Sequence, residues 1–266
     1  MARSFFAFLR KGIAVMLQYR GEIVLWAIWG LVNPAVSYAL WSAAAESNAD
    51  GTIAGFGRGE FAAYFFAMMI VGHLTQAWDT YEIGHLVRSG EMSPKLLRPI
   101  LPIWEALAGN LSYKITTLAF VVPMWCLFAW LVRPTFDTSA WQLGLGLIAI
   151  VLGAVLNFVL NYVFALVAFW TPKLDAMGEL YFGACMLWGG RFAPLDALPD
   201  ILRWLSGLQP FKWMFAFPSE LIMGRITDPS EAFRGLGIQL AWIAVSIVGF
   251  RALWSVAVKR YTAVSG

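Results

Sequence analysis

The chain has 266 residues, 60% of them hydrophobic and 13% charged, against roughly 45–50% and about 25% in soluble globular domains. That balance excludes a soluble domain and describes a polytopic membrane protein. The formal charge is only +3, and its basic residues are scattered instead of lining a groove that could track phosphates, so nucleic acid is excluded as a partner.

Residues 3–20 space Phe5, Phe6, Leu9, Ile13, Met16 and Leu17 at helical intervals, with Arg10, Lys11 and Gln18 mostly elsewhere on the helix. This predicts an amphipathic helix lying along the membrane surface. Its charges come too early for a signal-peptide core, so the N-terminus is expected to stay in the mature protein. Six crossings follow, over 22–45, 61–86, 106–132, 141–170, 176–193 and 233–258, against the ~20 residues that a bilayer demands; the fourth is longer than a perpendicular span needs and is expected to tilt or protrude. The first carries Asn33-Pro34 at its midpoint. The proline frees a carbonyl, and Asn33 either satisfies it or faces a solvated path.

The second crossing ends in a polar tail of Asp79, Glu82 and His85, and His73 within it is read as a packing histidine rather than a proton relay. In the third, Lys114 is expected to snorkel to the headgroups. The fourth carries Gly146, Ile150, Gly153, Asn157 and Asn161 at helical spacing, a small-and-polar stripe suited to close helix packing. Residues 171–175 predict a tight turn. The fifth is the least hydrophobic, because Glu179 and Arg191 lie in it twelve residues apart, too far to pair. Each is expected at its own interface, with a substrate contact as the alternative. Residues 194–231 hold apolar pieces too short and too proline-broken to cross, which predicts re-entrant or interfacial helices.

Between the second and third crossings lies a basic segment, 87–100, punctuated by Pro94 and Pro99. Pro94 can open a helix and Pro99 can stop one, so Lys95 to Arg98 reads as about one turn, with Leu96 and Leu97 on one side and charges on the other. Such a turn is either a docking knob for a soluble partner or a solvated turn that only helps hold orientation. With the N-terminus inside, Arg3, Arg10, Lys11, Arg20, Arg88, Lys95, Arg98, Lys173, Lys259 and Arg260 fall on the cytoplasmic side, as the positive-inside rule favours. Both termini and the 87–100 segment are then cytoplasmic, and 194–231 lies outside.

No Gly-Lys-Ser or Gly-Lys-Thr occurs, so the chain has no loop to cradle nucleotide phosphates and is not expected to be an enzyme. Neither His-Glu-x-x-His nor Gly-x-Ser-x-Gly is present. Cys126 and Cys185 fall inside hydrophobic runs and offer neither a disulfide framework nor metal spacing. Trp41, Trp130 and Trp141 at one end of the spans, and Trp78, Trp104 and Trp170 at the other, read as interfacial belts.

The order of these elements, with Arg88-Ser89-Gly90-Glu91-Met92-Ser93-Pro94-Lys95-Leu96-Leu97-Arg98-Pro99 after the second crossing, resembles the ABC-2 type permease family, and in particular a bacterial export branch of it. The resemblance covers nearly the whole chain. It implies an all-α membrane protein, one transmembrane domain over 1–266, with a connecting helix at 3–20, six transmembrane helices, a coupling helix in 87–100 and outer re-entrant half-helices in 194–231. It implies a permease subunit in the cell inner membrane, paired with a second permease, identical or paralogous, and two copies of an ABC ATPase that carries the ATP and Mg. Gly90, Glu91, Met92, Pro94, Lys95, Leu96, Leu97, Arg98 and Pro99 would seat in the ATPase. Asn33, Pro34, Pro210, Phe211, Phe217 and Pro218 would line the pathway or its outer gate. A secondary transporter with inverted repeats is the competing reading, and an intramembrane enzyme is a third.

Overall fold

A computed structural model describes residues 2–171 and 174–261, which are nearly all helical and contain no β-strand. In chain order the helices are α1 (Ala2–Gln18), α2 (Arg20–Glu46), α3 (Arg58–Thr75), α4 (Asp79–Arg88), α5 (Met92–Leu96), α6 (Pro102–Val132), α7 (Ala140–Ala165), α8 (Leu174–Trp188), α9 (Asp200–Gly207), α10 (Pro210–Met214), α11 (Ala216–Ile222) and α12 (Pro229–Arg260). Short 3-10 turns follow α7 at Leu166–Phe169 and precede α9 at Leu195–Ala197. Five stretches are long and apolar enough to cross a bilayer: Ile23–Glu46, Arg58–Arg88, Pro102–Val132, Ala140–Phe169 and Pro229–Arg260.

The long helices run alternately between two ends of one bundle. At one end α1 packs along the start of α6, close enough that a Cβ on Gly12 would collide with the Ser112 side chain, whose hydroxyl donates to the Leu9 carbonyl at 3.0 Å. The α4–α5 segment and the close of α12 lie at the same end, where the Ser93 and Tyr261 hydroxyls are 2.9 Å apart. At the opposite end Glu46 pairs with Arg58 at 3.1 Å, turning α2 into α3. Gln142 ties the start of α7 to the segment after α11 by donating to the Ile226 carbonyl at 2.8 Å.

Three elements depart from the sequence expectation. The second crossing, expected as one helix over 61–86, is two helices with a break at 76–78. The fifth, expected over 176–193, stops at Trp188, because Gly189 and Gly190 turn the chain and Gly190 takes a left-handed φ of 74°. Its 15 residues span about 22 Å, short of a ~30 Å hydrocarbon core. The third begins four residues early, with Pro102 as the first helical residue, where a missing N–H costs nothing. The first crossing is the single helix expected: α2 passes through Pro34 without a break, and Pro34 is buried against its neighbours. The turn expected over 171–175 includes Pro172 and Lys173, which lie outside the described residues.

Residues 194–231 fold into α9, α10 and α11, and the last two insert into the bundle. Gly153 of α7 admits the backbone of Met214, and a Cβ there would stand 2.7 Å from the Met214 carbonyl oxygen. Gly146 meets Ile222, and Gly235 of α12 admits the ring of Phe217. Gln239 of α12 donates to the carbonyls of Trp213 at 2.7 Å and Ala149 at 2.9 Å, satisfying backbone groups that hydrocarbon could not. The small residues of the α7 stripe thus receive the α10–α11 hairpin, whereas its asparagines face α3 and α4.

Candidate functional site

Two polar constructions stand out against this apolar bundle. The first surrounds the break at 76–78. A broken helix strands backbone groups at membrane depth, each costing several kcal/mol unless partnered. Asn157 donates to the Thr75 carbonyl at 2.7 Å, and Asn161 accepts from the Thr80 amide at 3.1 Å. Lys114 donates to the Gln76 carbonyl at 2.8 Å and also to Asn110. The lysine therefore turns inward to the break, where the freed carbonyl draws it, and does not snorkel. Tyr181 of α8 donates to the Asn157 side chain, so α8 is bound to the same assembly.

Asp79 opens α4 just past the break and is buried, with one carboxylate oxygen unpartnered. The sequence placed it in a polar tail. The structure instead sets both Asp79 and Lys114 within the bundle, as ionisable groups beside a helix interruption. His73 is packed, as the sequence suggests: its ring lies against Tyr113 and Trp125, and its Nε2 is 3.1 Å from the Thr117 hydroxyl. Trp78 packs edge-on to Tyr113 at 4.6 Å instead of joining a belt. Trp41 likewise turns inward, stacking on Phe61 and donating to the Phe192 carbonyl.

Beside the break is a cleft of about 50 Å³, whose walls include Gln76, Thr80, Asn157, Asn161, Cys185 and Arg191. Arg191 does not sit at an interface of its own. The chain reversal at Gly189–Gly190, held by the Tyr64 hydroxyl donating to the Gly190 carbonyl at 2.8 Å, sends it back between Phe215 and Phe182. Glu179 stays near the surface and accepts from the Tyr81 hydroxyl at 3.2 Å. None of the six residues expected to line a pathway is among the cleft walls. Pro210 opens α10, Phe211 packs edge-on to Tyr181, and Phe217 and Pro218 are buried in α11. Asn33 and Pro34 lie on α2, away from the cleft.

The second construction is the segment between α4 and α6. Gly90 takes a left-handed φ of 77°, which lets the chain reverse and lead into α5. Met92 is fully buried in a cluster with Ile83, Leu86, Tyr162 and Phe250. Lys95 and Arg98 each reach the Glu105 carboxylate at 3.0 Å, and Lys11 of α1 approaches it at 3.5 Å. One acid thus gathers three basic groups from two segments.

This corrects the expected turn: α5 runs from Met92, not from Pro94, and the two leucines do not share a face. Leu96 packs inward, whereas Leu97 is 87% exposed. Glu91, Pro94 and Pro99 are exposed beside it. The sequence could not show that Glu105, read as the approach to the third crossing, organises the loop.

No curated protein matches the chain. The model of a family described as ABC-2 family transporter protein matches residues 31–265, which takes in the broken helix, the α5 segment and the inserted hairpin. The chain therefore belongs to the ABC-2 transporter family, as a multi-pass membrane permease component of an ABC transporter.

Proposed function

We propose that this chain forms half of the translocation pathway of an ATP-driven exporter and takes its force through residues 90–99. The observation that carries the reading is Leu97, an almost fully exposed leucine on a segment that Met92, Lys95 and Arg98 otherwise fasten to the bundle. A fastened segment transmits a push to α4 and α6, and an exposed apolar side chain gives a partner something to grip. That partner is an ABC ATPase, two copies per complex, which holds the ATP and Mg. A second permease, identical or paralogous, completes the pathway.

In this reading α1, α5 and both termini face the cytoplasm of the cell inner membrane. Lys11, Lys95, Arg98, Lys259 and Arg260 then share one side. α8 makes a short sixth crossing, because the chain must regain the far side before α12 starts there. α10 and α11 are re-entrant, and α1 lies along the membrane surface.

The test is co-purification. Leu97→Asp should leave insertion and expression unchanged but release the ATPase or uncouple its hydrolysis. Full ATPase retention with normal coupled hydrolysis in that variant would sink the reading.

One observation favours a second reading, a secondary transporter: the interrupted α3–α4 helix with Asp79 and Lys114 buried beside it. That reading requires transport by the chain alone in vesicles, without nucleotide.

A further inference from the structure

Arg191 is the one cleft wall whose charge the fold leaves unanswered. Its guanidinium carbon lies 5.1 Å from the Phe215 ring centroid and 5.8 Å from that of Phe182. Among the described residues no carboxylate or hydrogen-bond acceptor pairs with it. The acids near the break do not answer it: Asp79 is not among the cleft walls, and Glu179, twelve positions earlier, is engaged by Tyr81. A guanidinium is a five-donor fork that does not lose its proton, and half-buried between two rings with no acceptor it favours an anion. The cleft holds a few waters' worth of space, enough for a headgroup and not for a chain. Its rim carries Tyr81 and Phe182, 41% and 40% exposed, so an apolar tail could leave sideways over aromatic rings into lipid.

We infer that this cleft binds the anionic headgroup of an amphiphile, with Arg191 as its counter-charge and Thr80, Asn157 and Asn161 as the polar wall facing it. The inference rests on the permease reading and names the cargo class: a phosphate or carboxylate borne on an aliphatic tail. A free anion would use the guanidinium but not the aromatic rim.

Cys185 is buried in the wall of the same cleft, so the rate of its modification reads how readily the cleft admits a reagent. The full chain carrying Cys126→Ala is purified in neutral maltoside, and the rate at which methyl methanethiosulfonate modifies Cys185 is read by intact mass. Dodecyl phosphate at ten times its apparent Kd should slow the reaction roughly tenfold. Dodecyltrimethylammonium should have no effect, and inorganic phosphate should protect only far more weakly. Arg191→Lys should keep part of the protection and Arg191→Gln should abolish it. Equal protection by the cationic and anionic amphiphiles would overturn the inference even if Arg191→Gln fails to fold. So would protection that persists in a folded Arg191→Gln chain, or inorganic phosphate matching dodecyl phosphate. No ATPase is present in this assay, so its failure leaves the coupling reading standing, and the loss of coupling in Leu97→Asp is read independently.

Discussion

At Gly153 the bundle admits no side chain. A Cβ there would meet a backbone carbonyl 2.7 Å away, and backbone cannot swing aside as a flexible side chain would. Gly153→Ala should therefore cost about 1–3 kcal/mol by overpacking, visible as a lower melting temperature in detergent. Gly183→Ala, on α8 with nothing within 4 Å, should be neutral or raise stability by up to about 1 kcal/mol through helix propensity. Equal melting temperatures for the two would mean that α10 does not seat on α7. Asn157 makes the complementary case. Asn157→Leu strands the Thr75 carbonyl and removes the acceptor of the Tyr181 hydroxyl, at about 1–3 kcal/mol for each buried group left unmade. The melting temperature should fall, and Cys185 should become more reactive as α8 loosens from α7.

The α5 segment shows how magnitudes separate fastening from docking. The pairs of Glu105 with the exposed Lys11 and Arg98 are worth only about 0.2–1 kcal/mol each, whereas in its pair with Lys95 both side chains are largely shielded, so the acid fastens α5 chiefly through Lys95. Glu105→Gln should accordingly lower the melting temperature modestly while weakening ATPase retention. Full retention would show that α5 keeps its position without the acid. Leu96→Asp and Leu97→Asp should then part company. The first puts a charge against the Ile83–Phe250 cluster and should lower stability by several kcal/mol, whereas the second should touch only partner binding. The sequence paired these leucines because they are adjacent. Neighbours on a helix are nevertheless turned about 100° from one another, and packing against the buried cluster selects Leu96 as the inward one.

Across the whole molecule, alternation of the long helices and the location of the basic residues make one prediction about sidedness. In a chain with Cys126 and Cys185 replaced, a cysteine at Ser89 should resist membrane-impermeant maleimide in intact cells. Cysteines at Asn48 and at Asp200, whose side chain is 91% exposed, should react. Labelling at Ser89 from outside would reverse the orientation, and opposite results for Asn48 and Asp200 would remove α8 as a crossing.

The sequence alone determined that the chain enters a membrane, where its long apolar helices run and that a basic, proline-bounded segment separates the second from the third. Those properties follow from composition and local period, since hydrocarbon selects for length and apolarity residue by residue. It also marked the α7 stripe as a packing surface. Only the tertiary structure decided what packs there, because Gly153 and Asn157 are defined by Met214 and Thr75, which lie 61 and 82 positions away in the chain. The same holds for the break at 76–78, which no proline or glycine announces: it persists because Asn157, Asn161 and Lys114 reach its stranded backbone groups from other helices. Arg191 was visible as a charge in a weak crossing, but its direction depends on the reversal at Gly190 and on the rings that flank it. Partnering across the bundle, rather than any local signal, turns it into the cleft.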